Sequence, residues 1–121
     1  MLTKEEWDNL ELATIKFNAT DCPGAIIERN DCDKKMEIYD KKANYRKATI
    51  SVNHYLVTYD VTGDNTAIIK ADEEYSLNFH YVFKLTFTSH YRGKYECYFN
   101  GEYKSKGHFR IKDEKKFFNL F

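Results

Sequence analysis

The residues best suited to chemistry lie in the C-terminal half. His80, Lys84, His90, Tyr98, His108, Arg110 and Lys112 recur there at even positions of runs that alternate with apolar residues. In extended chain, successive side chains point to opposite faces, so even positions on neighbouring strands gather on one side of a sheet. Three imidazoles, several fixed cations and a phenol on one face can hold a phosphate or a carboxylate, because Arg presents a planar fork and Lys a point charge. Tyr91, Arg92, Lys94 and Tyr103 extend the same surface around the last hairpins, and Tyr and Arg are the residue types that anchor interfaces.

Other chemistries fit the sequence less well. A metal site built from His80, His90 and His108 needs its ligands around one point, yet His80 and His90 are about 33 Å apart along an extended strand. Asp31 and Asp33 suggest calcium, but Lys35 and Met36 stand where the loop needs another acid and a glycine. The residues imply no metal and no cofactor. There is no Gly-rich phosphate loop, HExxH or GxSxG. Of the cysteines, Cys97 is expected in the core. Cys22, beside Pro23-Gly24, is the one thiol expected to be exposed, and no base accompanies it. If the sheet forms an enzymatic cone with a polar pocket, Asp60, His54 and Tyr81 line its mouth. Nucleic acid is a further candidate partner for the basic face, since Tyr91, Tyr98 and Tyr103 lie beside Arg92, Lys94 and Lys104. A net charge of zero opposes strong nonspecific binding of that kind.

These residues depend on the run Tyr75 to Phe99. Phe79, Tyr81, Phe83, Leu85 and Phe87 point one way, and His80, Val82, Lys84, Thr86, Thr88 and His90 the other. Period two with aromatic and β-branched residues predicts a long central strand of an antiparallel sheet. Before it, Thr3-Lys4-Glu5-Glu6 reads as a capping box, with Leu2 and Trp7 at the spacing of a hydrophobic staple. Trp7, Leu10, Thr14 and Phe17 then form a stripe that predicts an amphipathic helix to about Phe17, lying on the Phe79 to Phe87 face. Pro23-Gly24 predicts a turn, and Ala25 to Arg29 a short apolar piece, strand or helix. A polar loop follows from Asn30 to Lys35. Met36 to Tyr39 reads as a short strand and Asp40 to Asn44 as a loop. Arg46 to Val61 alternates with neither face cleanly apolar, which predicts a bulge or bend near Asn53-His54. Thr66 to Lys70, Lys94 to Phe99, Glu102 to Lys106 and His108 to Lys112 read as strands. Asn100-Gly101 joins a hairpin, because a type I′ turn needs positive φ at both central positions. Asp113 to Phe121 reads as a closing helix or a packed tail.

The whole is expected to be a single α+β domain: one N-terminal amphipathic helix packed on a curved antiparallel sheet of six or seven strands, as a cystatin-like or NTF2-like cone or a small barrel plugged by the helix. At 121 residues the chain is large enough for one core. Charge is uneven. Residues 1–40 carry ten acids and five bases, and residues 91–121 carry eight bases and four acids. Three cysteines, with no CxxC pair and no signal-like N-terminus, are expected to be reduced thiols of a cytoplasmic protein without membrane association, although a Cys22–Cys32 disulfide is open to an exported chain. The sequon Asn18-Ala19-Thr20 has meaning only in that case. Together these features point to a non-enzymatic intracellular binding protein of the inhibitor, immunity or phage and mobile-element kind. It would present its aromatic and basic C-terminal hairpins to a protein or an anionic small molecule.

Overall fold

A computed structural model describes residues 1–24, 32–41 and 45–114, omitting the side chains of residues 40 and 41. The expected pieces at Ala25 to Arg29 and in the tail beyond Glu114 lie outside the described residues.

The capping box forms as the sequence predicts. Thr3 Oγ1 accepts from the Glu6 amide at 3.1 Å, and the Glu6 carboxylate accepts from the Thr3 amide at 2.9 Å. The helix it opens, α1, is short, Lys4–Asn9, and Leu10 leaves it in extended conformation. The expected continuation to Phe17 is therefore wrong. Ala13–Asp21 is strand β1, because Ala13, Ile15, Phe17 and Ala19 also satisfy a period of two, and in this fold both edges of that segment find partners. Trp7, Leu10, Thr14 and Phe17 carry the helical spacing while Ala13, Ile15, Phe17 and Ala19 carry the strand spacing; strand pairing decides between them.

The α+β assignment falls with that helix. The chain forms a closed antiparallel barrel in which β1, β2 (Lys34–Lys41), β3 (Arg46–Ile50), β4 (Asn53–Val61), β5 (Thr66–Glu73), β6 (His80–Phe87), β7 (Arg92–Phe99) and β8 (Glu102–Asp113) follow one another round the ring. Pairing of β8 with β1 closes it, from Ala13 opposite Asp113 to Asp21 opposite Lys106. The sheet is thus not an open cone wrapped around a helix. The alternation from Arg46 to Val61 is a two-residue hairpin, β3 and β4, rather than one strand with a bulge. Ser51, at φ 58°, occupies the turn, and the turn exchanges which parity faces inward. The Asn100-Gly101 turn has positive φ at both residues, 49° and 84°.

Inside the ring lie Ile15, Phe17, Met36, Ile38, Ala48, Val57, Tyr59, Ile69, Phe83, Leu85, Phe109 and their neighbours, all buried. Of the expected core face of β6, Phe83, Leu85 and Phe87 are buried, while Phe79 and Tyr81 are partly exposed against the core. The rings of Phe17 and Phe83 stack at 4.2 Å, and Tyr95 meets Phe17 edge-on at 5.0 Å. Two inward positions admit only glycine. A Cβ on Gly93 would lie 2.1 Å from the Thr86 carbonyl oxygen, and one on Gly107 would lie 2.0 Å from that of Asn18.

Helix α1 stoppers one end of the ring. Trp7 stacks on Tyr59 at 4.9 Å, the Tyr59 hydroxyl donates to the Leu2 carbonyl, and the buried Arg46 guanidinium donates to the carbonyls of Trp7, at 2.8 Å, and Glu11, at 3.4 Å. Burial raises the Tyr59 phenol above its ordinary pKa, so the hydroxyl stays a donor. At the other end Cys22 and Cys32 form a disulfide across the loop between β1 and β2, and Cys97 is a buried thiol that burial pushes up to about 11. The expectation of three reduced thiols, with Cys22 as an exposed nucleophile, is corrected accordingly. The chain brought Cys22 and Cys32 within bonding reach by folding β1 back along β2, a pairing the misread helix concealed. Among the described residues no helix is long and apolar enough to cross a membrane.

Two outcomes follow. Replacing Trp7→Ala should cost about 3–5 kcal/mol in urea unfolding, the usual penalty for emptying a buried aromatic site. Thiol titration of the unfolded, unreduced protein should count one reactive thiol per chain and, after reduction, three; three before reduction would refute the disulfide.

Candidate functional site: a basic face on the barrel exterior

The strand register arranges cations into ranks on the outside of β2, β1, β8 and β7. Lys35 stands opposite Lys16, Lys16 opposite Arg110, and Arg110 opposite Arg92. With strands about 4.8 Å apart, the rank spans about 14 Å. Like charges directly opposite one another destabilise a sheet, and here four follow in succession. Lys35 has a carboxylate within reach, Glu37 at 3.0 Å. Lys16, Arg110 and Arg92 make no ion pair among the described residues. The next outward rank is Thr86, Lys94, His108 and Asn18, and the one beyond it carries Lys84, Glu96 and Lys106. All of these cations are exposed.

Strand β8 is the spine of the face. Lys104, Lys106, His108, Arg110 and Lys112 all point outward from it, while Ser105, Gly107, Phe109 and Ile111 point in. Two depressions lie on the face. One, of about 490 Å³, is lined by Lys84, Lys94, Lys106 and His108 with Thr20, Thr86, Glu96 and the backbone around Tyr95 and Gly107. The other, of about 160 Å³, is lined by Lys16, Lys35, Arg110 and Lys112 with Thr14 and Glu114.

Of the residues singled out in the sequence, Lys84, Arg92, Lys94, His108, Arg110 and Lys112 are therefore brought together. Lys112 also lies 3.9 Å from Glu114. The others are employed elsewhere. His80 Nδ1 lies 2.9 Å from Asp72 at one end of β6, and His90 Nε2 lies 2.6 Å from Glu6 beyond the other end. Tyr91 is partly buried against the core with His90 stacked on it at 4.2 Å, and burial raises its phenol. Tyr98 lies under Lys84, whose Nζ is 4.9 Å from the ring centroid, and meets Tyr103 edge-on at 5.9 Å. The Tyr103 hydroxyl donates to Asp21 at 2.6 Å, and that bond pushes its pKa up to about 12. The open aromatic platforms expected for stacking bases are thus already engaged. Nor do Asp60, His54 and Tyr81 share a mouth: Asp60 and His54 are exposed on the outer side of β4, whereas Tyr81 faces the ring interior.

Sequence reasoning missed Lys16, Lys35 and Lys106. Lys16 falls in the segment whose stripe predicts a helix and Lys35 in the expected polar loop, so neither registers against Arg110 from sequence alone. The signal was present in the alternation of Ala13, Ile15, Phe17 and Ala19 with Thr14, Lys16, Asn18 and Thr20.

The His90 and Glu6 pair fastens the β6–β7 turn to the helix that stoppers the barrel. The Thr3 amide and then His90 hold the Glu6 carboxyl below its ordinary pKa, so its contribution is present above the carboxylate range and is lost as pH falls through it. Glu6→Ala should cost about 1 kcal/mol near neutral pH, as for other helix caps, and the gap to the native chain should close as pH approaches 3 in urea titrations. The chain matches no protein-family model, no curated protein and no solved structure.

Proposed function

We propose that this chain is a non-enzymatic binding protein that holds an anionic partner on the exterior of β2, β1, β8 and β7. The observation that carries the reading is the rank Lys35, Lys16, Arg110 and Arg92 in direct cross-strand register. A sheet gains nothing in stability from such a rank, and the sequence is not short of acids, since the chain is neutral overall with 19 of each sign. Cations concentrated on one face of a neutral protein create a local potential that steers and orients an anion. An acidic protein surface or an anionic small molecule satisfies it. Nucleic acid is disfavoured, because Tyr91, Tyr98 and Tyr103 have their faces or hydroxyls occupied. The Cys22–Cys32 bond supports work in an oxidising compartment rather than the expected cytoplasm.

The test holds net charge constant. A fluorescent oligoglutamate peptide should bind the native chain in a salt-dependent way, and substitution of Arg92, Lys94 and Arg110 together by Ala should weaken that binding about tenfold or more. Replacing Lys4, Lys47 and Lys70 by Ala removes the same charge from other faces and should change it by less than about twofold. Equal losses in the two triple variants would reduce the effect to net charge and refute a site.

A further inference from the structure

The two depressions share strand β8, and their chemistry narrows the kind of anion. The smaller one sets four cations against one carboxylate, Glu114, with the Thr14 hydroxyl at its wall. Lys35 shares part of its charge with Glu37 and Lys112 with Glu114. Lys16 and Arg110 have no such partner among the described residues. A single carboxylate brings one negative charge, too little for this depression. A phosphate brings close to two, together with three acceptor oxygens that suit the Arg110 fork. At about 160 Å³ the depression admits a compact tetrahedral group and not a protein surface.

The larger depression repeats the pattern beside it. Lys84, Lys94 and Lys106, with His108, stand against Glu96 alone, and Thr86 lines the same wall. Arg110 of the first depression and His108 of the second are successive outward residues of β8, about 7 Å apart. Anionic groups seated in the two are therefore separated by a distance that one small molecule can span.

We propose that these adjoining depressions form a single site for a small polyphosphorylated molecule, with Arg110 and Lys16 gripping one phosphate and Lys94 and Lys106 the next. The proposal rests on the basic face being a binding surface and names its ligand. Free polyphosphate and a phosphorylated metabolite share this chemistry, so two probes separate them. Inorganic tripolyphosphate is a bare chain, and inositol hexakisphosphate carries its phosphates on a carbon ring.

Calorimetric titration near neutral pH, at about 0.15 M salt, should show one saturable tripolyphosphate or inositol hexakisphosphate bound per chain. Citrate, with carboxylates only, should bind at least about tenfold more weakly. Arg110→Gln and Lys94→Gln should each weaken phosphate binding about tenfold or more, and Lys70→Gln, across the barrel on β5, should leave it unchanged. Circular dichroism of each variant establishes that the barrel is intact. The tighter of the two probes assigns the source of the phosphates. Citrate binding as well as the phosphates, or Arg110→Gln binding as well as the native chain, overturns the proposal. If neither phosphate probe binds while the oligoglutamate peptide does and is lost in the Arg92, Lys94 and Arg110 variant, the ligand assignment fails and the basic face stands. If none of the three binds, both readings fail.

Discussion

The molecule depends on a single pairing, that of β1 with β8. Until Ala13 to Asp21 lies along Lys106 to Asp113, the meander is an open sheet with two raw edges, each a row of amides and carbonyls without partners. Once it forms, both edges vanish and the inward side chains of the whole chain are enclosed together. This pairing is also the most distant in sequence, so the loop closed to make it is the longest in the fold, and its entropic cost must be repaid by the core it completes. Phe17 shows how the repayment is made: it belongs to β1, yet its ring packs on Phe83 of β6 and Tyr95 of β7.

The same pairing builds the exterior. Lys16 and Arg110 are separated by most of the chain, and only closure of the barrel sets them opposite one another. Closure also explains how so much like charge is tolerated. The core, the helix stopper and the disulfide fix the strands independently of what stands outside, so the face can carry repulsion that an isolated hairpin could not. Glycine at 107 belongs to the same economy of space, since its lack of a side chain lets β8 approach the carbonyl of Asn18 while the flanking His108 and Lys106 splay outward.

Much of this was legible in the sequence, and the limit has a physical cause. Period two was readable wherever it was pure: Phe83, Leu85 and Phe87 face the core and the Asn100-Gly101 turn forms as the residues imply, although Glu102–Asp113 is one unbroken strand rather than the two expected on either side of Gly107. The outward placement of Lys84, His108, Arg110 and Lys112 was readable for the same reason. What failed was Leu10 to Phe17, where the apolar positions satisfy periods of two and 3.6 together and a strong capping box stands just upstream. Local propensity starts a helix at Thr3 and does not say where it stops; the two strands waiting on either side of β1 decide that. The error cost the fold class, and with it Lys16 and Lys35. The sequence names Cys22 and Cys32 as the pair able to bond but ranks reduced thiols above it, since no local pattern says that the two cysteines come together beside paired strands.

The glycines at 93 and 107 carry an implication for ancestry. Any residue with a β-carbon would there run into peptide carbonyls of the adjoining strand, so neither position tolerates mutation while the staves stay this close. Descendants of this gene could exchange every lysine on the outside for another chemistry and still be traced by that glycine pair, which makes it a better genealogical marker than the residues that bind.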